Sequence, residues 1–452
     1  MNDNNPDKNN LVVAQDCFEC VHCKKAERSP DGVISVQCKL KDKGYREGGN
    51  QSACPNHRFK MFEMKPQESF LPYHIWIEIT NACNLKCRMC GQRGTFGYLN
   101  SPELNMGRKN LPVEAWKEFI DDVKSFRPTI LLRGGEPMLY PGVTELMRHI
   151  NESNLFLSMD TNGTQLKKHA PEVAKYVDHI NVSIDGPREI HDFIRGVPGT
   201  YDAAREGIAA VLSAYKELKI KRIQPISLNF VVSPDNYEAM PEMVRVAEEL
   251  GVKDVMLTLC FFYGEDVEKD YENAIKKDFN IESRAGKGFR KDRKKIDGEL
   301  LAKNIRLLLD NKNINFNLMP DLNDEGLATW FDDSSRLVSY DRCYAPWFLV
   351  NIMPDGDVNF CADIGDYVIG NITEDRLLDI WSNEKAVRFR QKILEERFSI
   401  CRRCVVNFLY PYNRCSALVG LRSACTAIKY GLKLPVGKKY FQKHEWLMHS
   451  FY

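Results

Sequence analysis

The stretch HIWIEITNACNLKCRMC, residues 74–90, decides the fold. It opens on a short apolar, β-branched run that reads as a strand, and three cysteines follow at once in one loop. Working outward, the same kind of run recurs at 129–133, 155–160, 179–184, 227–232 and 255–259. Amphipathic stretches at 112–126, 143–151, 165–176, 201–218 and 237–250 separate these strands. Alternation of this kind predicts βα units around a parallel sheet, and six of them suit a three-quarter barrel, although a doubly wound sheet has much the same periodicity. The strands run out into TNACNLKC, RGGEP, DTNG, SIDGP and VVSPDN, which gathers these groups at the carboxyl edge of the sheet, where active sites of such folds lie. Residues 261–310 break the rhythm with an acidic part, a basic part (Lys287, Arg290, Lys291, Arg293, Lys294, Lys295) and a helix over 299–310, which reads as an insertion or lid.

The bulk numbers narrow the function classes. In 452 residues, 63 basic and 62 acidic side chains nearly cancel, so no global charge favours nucleic acid or an acidic membrane. No apolar run is long enough to span a bilayer, and the first residues lack a signal-peptide layout, so a cytoplasmic chain is expected. Fifteen cysteines are hard to explain there as disulfides, and metal or Fe-S ligation is the better default. They fall in three regions: five from Cys17 to Cys54, three from Cys83 to Cys90, and six from Cys343 to Cys425, with Cys260 apart.

Cys83-x3-Cys87-x2-Cys90 projects three thiols from one loop, enough for three irons of a cubane cluster. The fourth iron is left open, as a bidentate amino-carboxylate ligand requires; zinc held by the same cysteines and a distant ligand is the alternative. The loop resembles the signature of the radical S-adenosylmethionine (SAM) superfamily, and further segments carry the likeness. Gly134-Gly135-Glu136-Pro137 resembles that family's GGEP segment, where backbone and carboxylate meet the methionine amino group. Asn162 and Asp185 lie in segments similar to its third and fourth strand ends; Ser183 and Arg195 resemble its SAM-carboxylate contacts. For Asn162, Asp185 and Asp192 a capping or turn role competes with ligand contact. The resemblance implies a partial (β/α)6 TIM-like barrel with a [4Fe-4S] cluster at Cys83, Cys87 and Cys90. Reduction of that cluster, by a flavodoxin or ferredoxin, would cleave SAM to methionine and a 5'-deoxyadenosyl radical.

Downstream, Cys343-x12-Gly356-x4-Cys361, then Gly370-Asn371, Ile380-Trp381 and Cys401-x2-Cys404, resembles the SPASM/twitch extension of a subset of that family. MPDGDV at 353–358 has the Asp-Gly turn of a hairpin. The likeness implies a second, fully ligated [4Fe-4S] cluster on Cys343, Cys361, Cys401 and Cys404. Ten residues from Cys404 to Cys415 and nine from Cys415 to Cys425 depart from the two-cluster pattern, which favours one auxiliary cluster. At the other end, Cys20, Cys23, Cys38 and Cys54, with Cys17 spare, suggest a third site whose occupant stays open between zinc, iron and an Fe-S cluster.

The expected organisation is a Cys-rich metal-binding segment (1–66), the barrel (67–320), a β-hairpin plus helix Fe-S subdomain (321–410) and a basic tail (411–452). That tail could touch a membrane, although a solvated face is the plainer reading. Three functions compete: oxidation of a small metabolite, maturation of a peptide or protein, and non-catalytic Fe-S electron carriage. The GGEP segment with Ser183 and Arg195 argues against the last, and the lack of a recognisable peptide-binding wing favours a small molecule. Asp363, two residues past Cys361, is the candidate base, with Tyr98 and Arg342 less supported.

Overall fold

The computed structural model describes residues 65–408 except 68, 70, 95–96, 101–108, 223–224, 284, 291–295, 321 and 339–342, together with the backbone of two strands at 23–28 and 34–38. The chain divides into two compact units, residues 1–68 and 69–452. In the first, β1 (Cys23–Arg28) and β2 (Ile34–Cys38) form an antiparallel hairpin whose register sets Cys23 opposite Cys38. Cys17, Cys20 and Cys54 lie outside the described residues, as do Cys415, Cys425, the basic tail, Arg342 and the whole basic run at 291–295.

The second unit is built on β3 (His74–Thr80), β4 (Thr129–Gly134), β5 (Phe156–Thr161), β6 (His179–Ser183), β7 (Ile226–Val232), β8 (Asp254–Leu259) and β9 (Asn315–Met319). These seven strands pair in parallel, each with the next in sequence. A doubly wound sheet reverses its strand order at a switch point; here the order never reverses, so the sheet winds one way as a partial barrel. Beside β3, β10 (Leu349–Ile352) adds in parallel, then β11 (Asp357–Asn359) and β12 (Gly370–Asn371) in antiparallel. The hairpin expected around MPDGDV is therefore present, and its first strand joins the barrel sheet.

Three sequence expectations need correction. A seventh parallel strand follows the six, because NFNLM alternates asparagine with apolar residues and lacks a β-branched run. The segment 261–310 is accordingly not all insertion: its helix Gly298–Leu309 is the crossover from β8 to β9. The helix read over 237–250 is split into a 3-10 segment, Tyr237–Glu242, and an α-helix, Met243–Leu250; Pro241, which has no N–H to donate, ends the first part.

Crossover helices cover the outside. In α1 (Val113–Val123), Trp116, Phe119, Ile120 and Val123 recur at helical spacing and are all buried, each contributing on the order of 2 kcal/mol. Strand residues facing these helices, such as Ile77, Leu132, Met159 and Val182, are fully buried. Their alternates Leu131, Arg133, Ser158, Asp160, Asn181 and Asn229 are only half-buried, so the inner face of the barrel is open to solvent and polar.

Two histidines make the fold acid-sensitive. His179, in β6, and His191 are 2% and 0% exposed. Burial pushes both down to about 3, and His191 accepts the backbone N–H of Asp185 through Nδ1 at 3.1 Å. An unfolded histidine titrates near 6.5, so between pH 6.5 and 3 the unfolded chain binds protons that the folded one refuses. Stability is thus full above pH 6.5 and falls as pH falls. At pH 5 the loss is about 2 kcal/mol per histidine, measurable by denaturant unfolding at pH 7 and pH 5; equal stability at the two would contradict it.

Candidate active site

The cysteine loop is fixed by backbone bonds from two directions. Behind it, Gly135 N–H donates to Thr80 O and Glu136 N–H to Ala82 O, both at 2.7 Å. Gly134 sits at φ +130°, and a Cβ on Gly135 would stand 2.2 Å from Ala82 O, so both glycines are required by contact with the loop's own backbone. In front, Lys86 and Arg88 N–H donate to Arg195 O and Ile194 O at 3.1 and 2.9 Å, pinning the loop to the end of the helix Arg188–Arg195.

Within this frame the three thiols converge. Burial first, then the neighbouring Cys90 and Cys83, pushes the Cys87 thiol up to about 11. Cys83 is raised by burial too, with Glu136 and Cys90 adding to it. N–H groups address the sulfurs: Arg93 N lies 3.4 Å from Cys90 Sγ and Arg195 Nη1 3.6 Å from Cys87 Sγ. No disulfide joins any two of the eight cysteines whose side chains are described. Among the described residues no group of three His, Cys, Asp or Glu is placed to chelate a single metal ion; a cubane asks for something else, one thiolate on each of several irons. Convergent, half-buried thiols with N–H donors at their sulfurs fit such a cluster.

The side chains expected to meet SAM surround the loop. Glu136 is fully buried and accepts from Asn162 N (2.7 Å), Thr161 Oγ1 (2.8 Å) and Met138 N (3.2 Å), so its carboxylate ties β4 to the end of β5 and caps the turn that Pro137 begins. Asn162 Nδ2 donates to Asn84 Oδ1 beside Cys83. Arg195 forms a buried ion pair with Asp185 at 2.6 Å, and Asp185 also accepts from Val231 N at 3.0 Å. Ser183 ends β6 in register with Asn229. Asp192 accepts from Gly199 N, Thr200 Oγ1 and Tyr201 N, which makes it the cap of the next helix.

The second cysteine set also converges. Cys361 is pushed well up by burial, then by Cys401, Cys404 and Cys343, and burial with Cys401 raises Cys343 to about 12. Arg403, between the last two cysteines, is fully buried and donates to Trp330 O at 2.8 Å and Thr329 O at 2.9 Å, with Asp333 O as a further acceptor. Four such thiols suit a fully ligated cluster.

Three features were missed in the sequence. Asp366, five residues past Cys361, accepts from Tyr271 Oη, Ser283 Oγ and Ala285 N at 2.9–3.0 Å. The same segment ends in Phe289, packed on Gly91 next to Cys90, so residues 271–289 brace one cysteine set against the other rather than forming a free lid. On the inner face, Arg133 pairs with Asp363 at 3.1 Å and lies over the Trp76 ring at 5.4 Å. A signal for the inner-face pair existed: Glu78, Arg133, Asp160, Asn181 and Asn229 are polar residues inside otherwise apolar strands.

Residues 77–247 match the family model described as the radical SAM superfamily, and residues 343–405 match the iron-sulfur cluster-binding domain named SPASM. Together the two cover just over half of the chain, which belongs to the radical SAM superfamily and carries a C-terminal SPASM region. These two domains imply a SAM-binding [4Fe-4S] cluster and auxiliary iron-sulfur ligation. It is 29% identical to the Fe-coproporphyrin III synthase of Methanosarcina barkeri (strain Fusaro / DSM 804) over 48% of this chain and 49% of that protein. The AdoMet-dependent heme synthase of the same organism is 34% identical over 40% and 48%, and the PqqA peptide cyclase of Ruegeria pomeroyi 27% over 43% and 48%. The chain thus spans about half the length of the curated relatives it matches. Among solved structures, Streptococcus suis SuiB bound to S-adenosylmethionine superposes with a TM-score of 0.51 at 17% identity, over 75% of this chain and 72% of that one, a likeness of fold. Among the described residues no helix is long and apolar enough to cross a membrane.

Proposed function

We propose that this chain is a radical SAM oxidoreductase that removes two electrons from a small molecule. In this reading Cys83, Cys87 and Cys90 hold the SAM-cleaving cluster and Cys343, Cys361, Cys401 and Cys404 the auxiliary one, within a barrel of residues 67–320 and a subdomain of 321–410. When bound, these groups supply hydrogen-atom abstraction through the 5'-deoxyadenosyl part of SAM and a sink for the second electron. The chain does the rest. Gly134, Gly135, Glu136 and Pro137 set the loop; Asn162, Ser183, Asp185 and Arg195 form the wall against which SAM is oriented. Asp363, on the open inner face, receives the proton released from the substrate, with Arg133 compensating its charge until then. The carrying observation is the convergence of two separate thiol sets: Cys87 is raised by burial with Cys90 and Cys83 beside it, and Cys361 by burial with Cys401, Cys404 and Cys343 beside it. A small-molecule substrate is supported by the synthase relatives, whose names specify heme and a coproporphyrin.

The test is anaerobic. Loaded enzyme with SAM and dithionite is given either the low-molecular-mass fraction or the peptide and protein fraction of a cell extract, and 5'-deoxyadenosine is measured. Stimulation by the small-molecule fraction is expected. Stimulation by the macromolecular fraction alone would move the assignment to peptide or protein maturation, the reading that the peptide cyclase relative supports.

A further inference from the structure

The five cysteines from Cys17 to Cys54 have no part in the proposed function. They belong to the first compact unit, residues 1–68, in which β1 and β2 are the described strands. A lone two-stranded hairpin is marginal in water, and a unit of fewer than about 70 residues seldom buries enough apolar surface to hold itself together. These strands add little. CKKAER and ISVQC offer Ala26, Ile34 and Val36 beside Lys24, Lys25, Glu27 and Arg28. Small units of this kind are completed by disulfides or by a metal.

The register of the hairpin separates the two. From Arg28 opposite Ile34 to Lys25 opposite Gln37 the pairing advances one residue at a time, which would bring Lys24 opposite Cys38. An irregularity between Cys23 and Lys25 sets Cys23 there instead. A bulge thus leaves one residue out of the ladder and brings two cysteines to directly opposed positions. Alternate residues of a strand share a face, so Cys38 lies on the face of β2 that also carries Ile34 and Val36. Opposed positions of an antiparallel pair have Cβ atoms about 4.5–5.5 Å apart. A tetrahedral zinc with Zn–S bonds of about 2.3 Å sets its thiolates about 3.8 Å from one another, which such a pair can reach. A cubane distributes its cysteines over separate irons and asks for a wider frame. Cys20-x2-Cys23 adds the spacing by which one turn of chain supplies two thiolates to a zinc ion. A disulfide between Cys23 and Cys38 would leave three thiols without a role, and an enzyme whose clusters must accept electrons works where thiols stay reduced.

We propose that the first unit holds one zinc ion on four thiolates: Cys23 and Cys38 from opposed positions of the hairpin, with Cys20 and Cys54, outside the described residues, from the chain on either side. The ion is structural. All four of its positions are taken by protein, and its binding supplies folding energy that the hairpin lacks. This goes beyond the oxidoreductase reading and does not depend on it.

The test uses the full chain, produced with zinc and iron both supplied and loaded anaerobically with its clusters. Zinc and iron are counted, and X-ray absorption is recorded at the zinc edge of the wild type. About one zinc per chain is expected, with four sulfurs at about 2.3 Å and no lighter ligand. Cys23→Ser and Cys38→Ser should each lose that zinc while keeping the wild-type iron count and 5'-deoxyadenosine formation. Gln37→Ser, next to Cys38 but at a position of the opposite face, should keep it. Wild type without zinc, a zinc sphere containing nitrogen or oxygen, or zinc retained in both cysteine variants would overturn the proposal. Iron lost from those two variants in place of zinc, or a Cys23–Cys38 disulfide in the peptide masses, would overturn it as well. The wild-type absorption spectrum decides the ligands even where a variant fails to fold.

Discussion

Replacing Cys87 with alanine should reduce 5'-deoxyadenosine formation by about three orders of magnitude or more, because ligands acting as a unit are lost together. Cys87 is the member of its loop most embedded in protein contacts. Its sulfur faces Arg195 Nη1 at 3.6 Å, and Arg195 is committed to Asp185 at 2.6 Å. Without the sulfur, a buried guanidinium loses one of its two partners in a place water does not reach freely. The contrast is Cys260, also buried but outside both converging sets, whose thiol lies 3.8 Å from Phe261 O. Cys260→Ala should keep both clusters and SAM cleavage. Anaerobic iron counts and product assays on the two variants make the comparison; equal losses in both would show that the effect follows any buried cysteine.

Gly135→Ala should be nearly as damaging, through geometry alone. The added methyl would stand 2.2 Å from Ala82 O and 2.7 Å from its carbonyl carbon, and backbone on both sides leaves nothing flexible to yield. The only relief is to shift the loop one residue before Cys83. The variant should lose the iron of that loop and its SAM cleavage while keeping the iron held by Cys343, Cys361, Cys401 and Cys404. Gly199→Ala is the control: φ is +82°, but no atom lies within 4 Å of the new carbon. It should cost only about 1 kcal/mol of stability and leave both clusters loaded. If Gly135→Ala also retained full iron and turnover, the close backbone approach would not matter to the site.

Much of this was legible in the sequence, for physical reasons that differ along the chain. Strands β3 to β8 and most of the helices between them were readable within a residue or two, because a fully buried outer face demands apolar residues at regular intervals; the short helix Arg188–Arg195 and the break at Pro241 were not. β9 was not, since its inner-facing asparagines dilute the apolar signal in NFNLM. The two cysteine sets were visible because thiol spacing is itself the chemistry. Arg133, Asp160 and Glu78 were passed over, although a charged residue inside a buried strand is costly and therefore informative. Asp366 could not have been found: its three donors come from residues 271–285, and nothing local announces such a bond. The carboxylate of Glu136 illustrates the same limit. Its sequence context says that it belongs to the site, but only the structure shows that three donors of this chain already occupy it.

The central claim is that the Cys83, Cys87 and Cys90 loop holds the cluster that cleaves SAM, and one measurement meets it directly. Wild type and the triple alanine variant are reconstituted anaerobically, iron and sulfide are counted, and 5'-deoxyadenosine is assayed after adding SAM and dithionite. The account predicts that the variant keeps the auxiliary iron, about four fewer irons than wild type, and makes no 5'-deoxyadenosine while wild type does. A triple variant that still cleaves SAM, or a fully loaded wild type that never does even with cell extract supplying substrate, would contradict it.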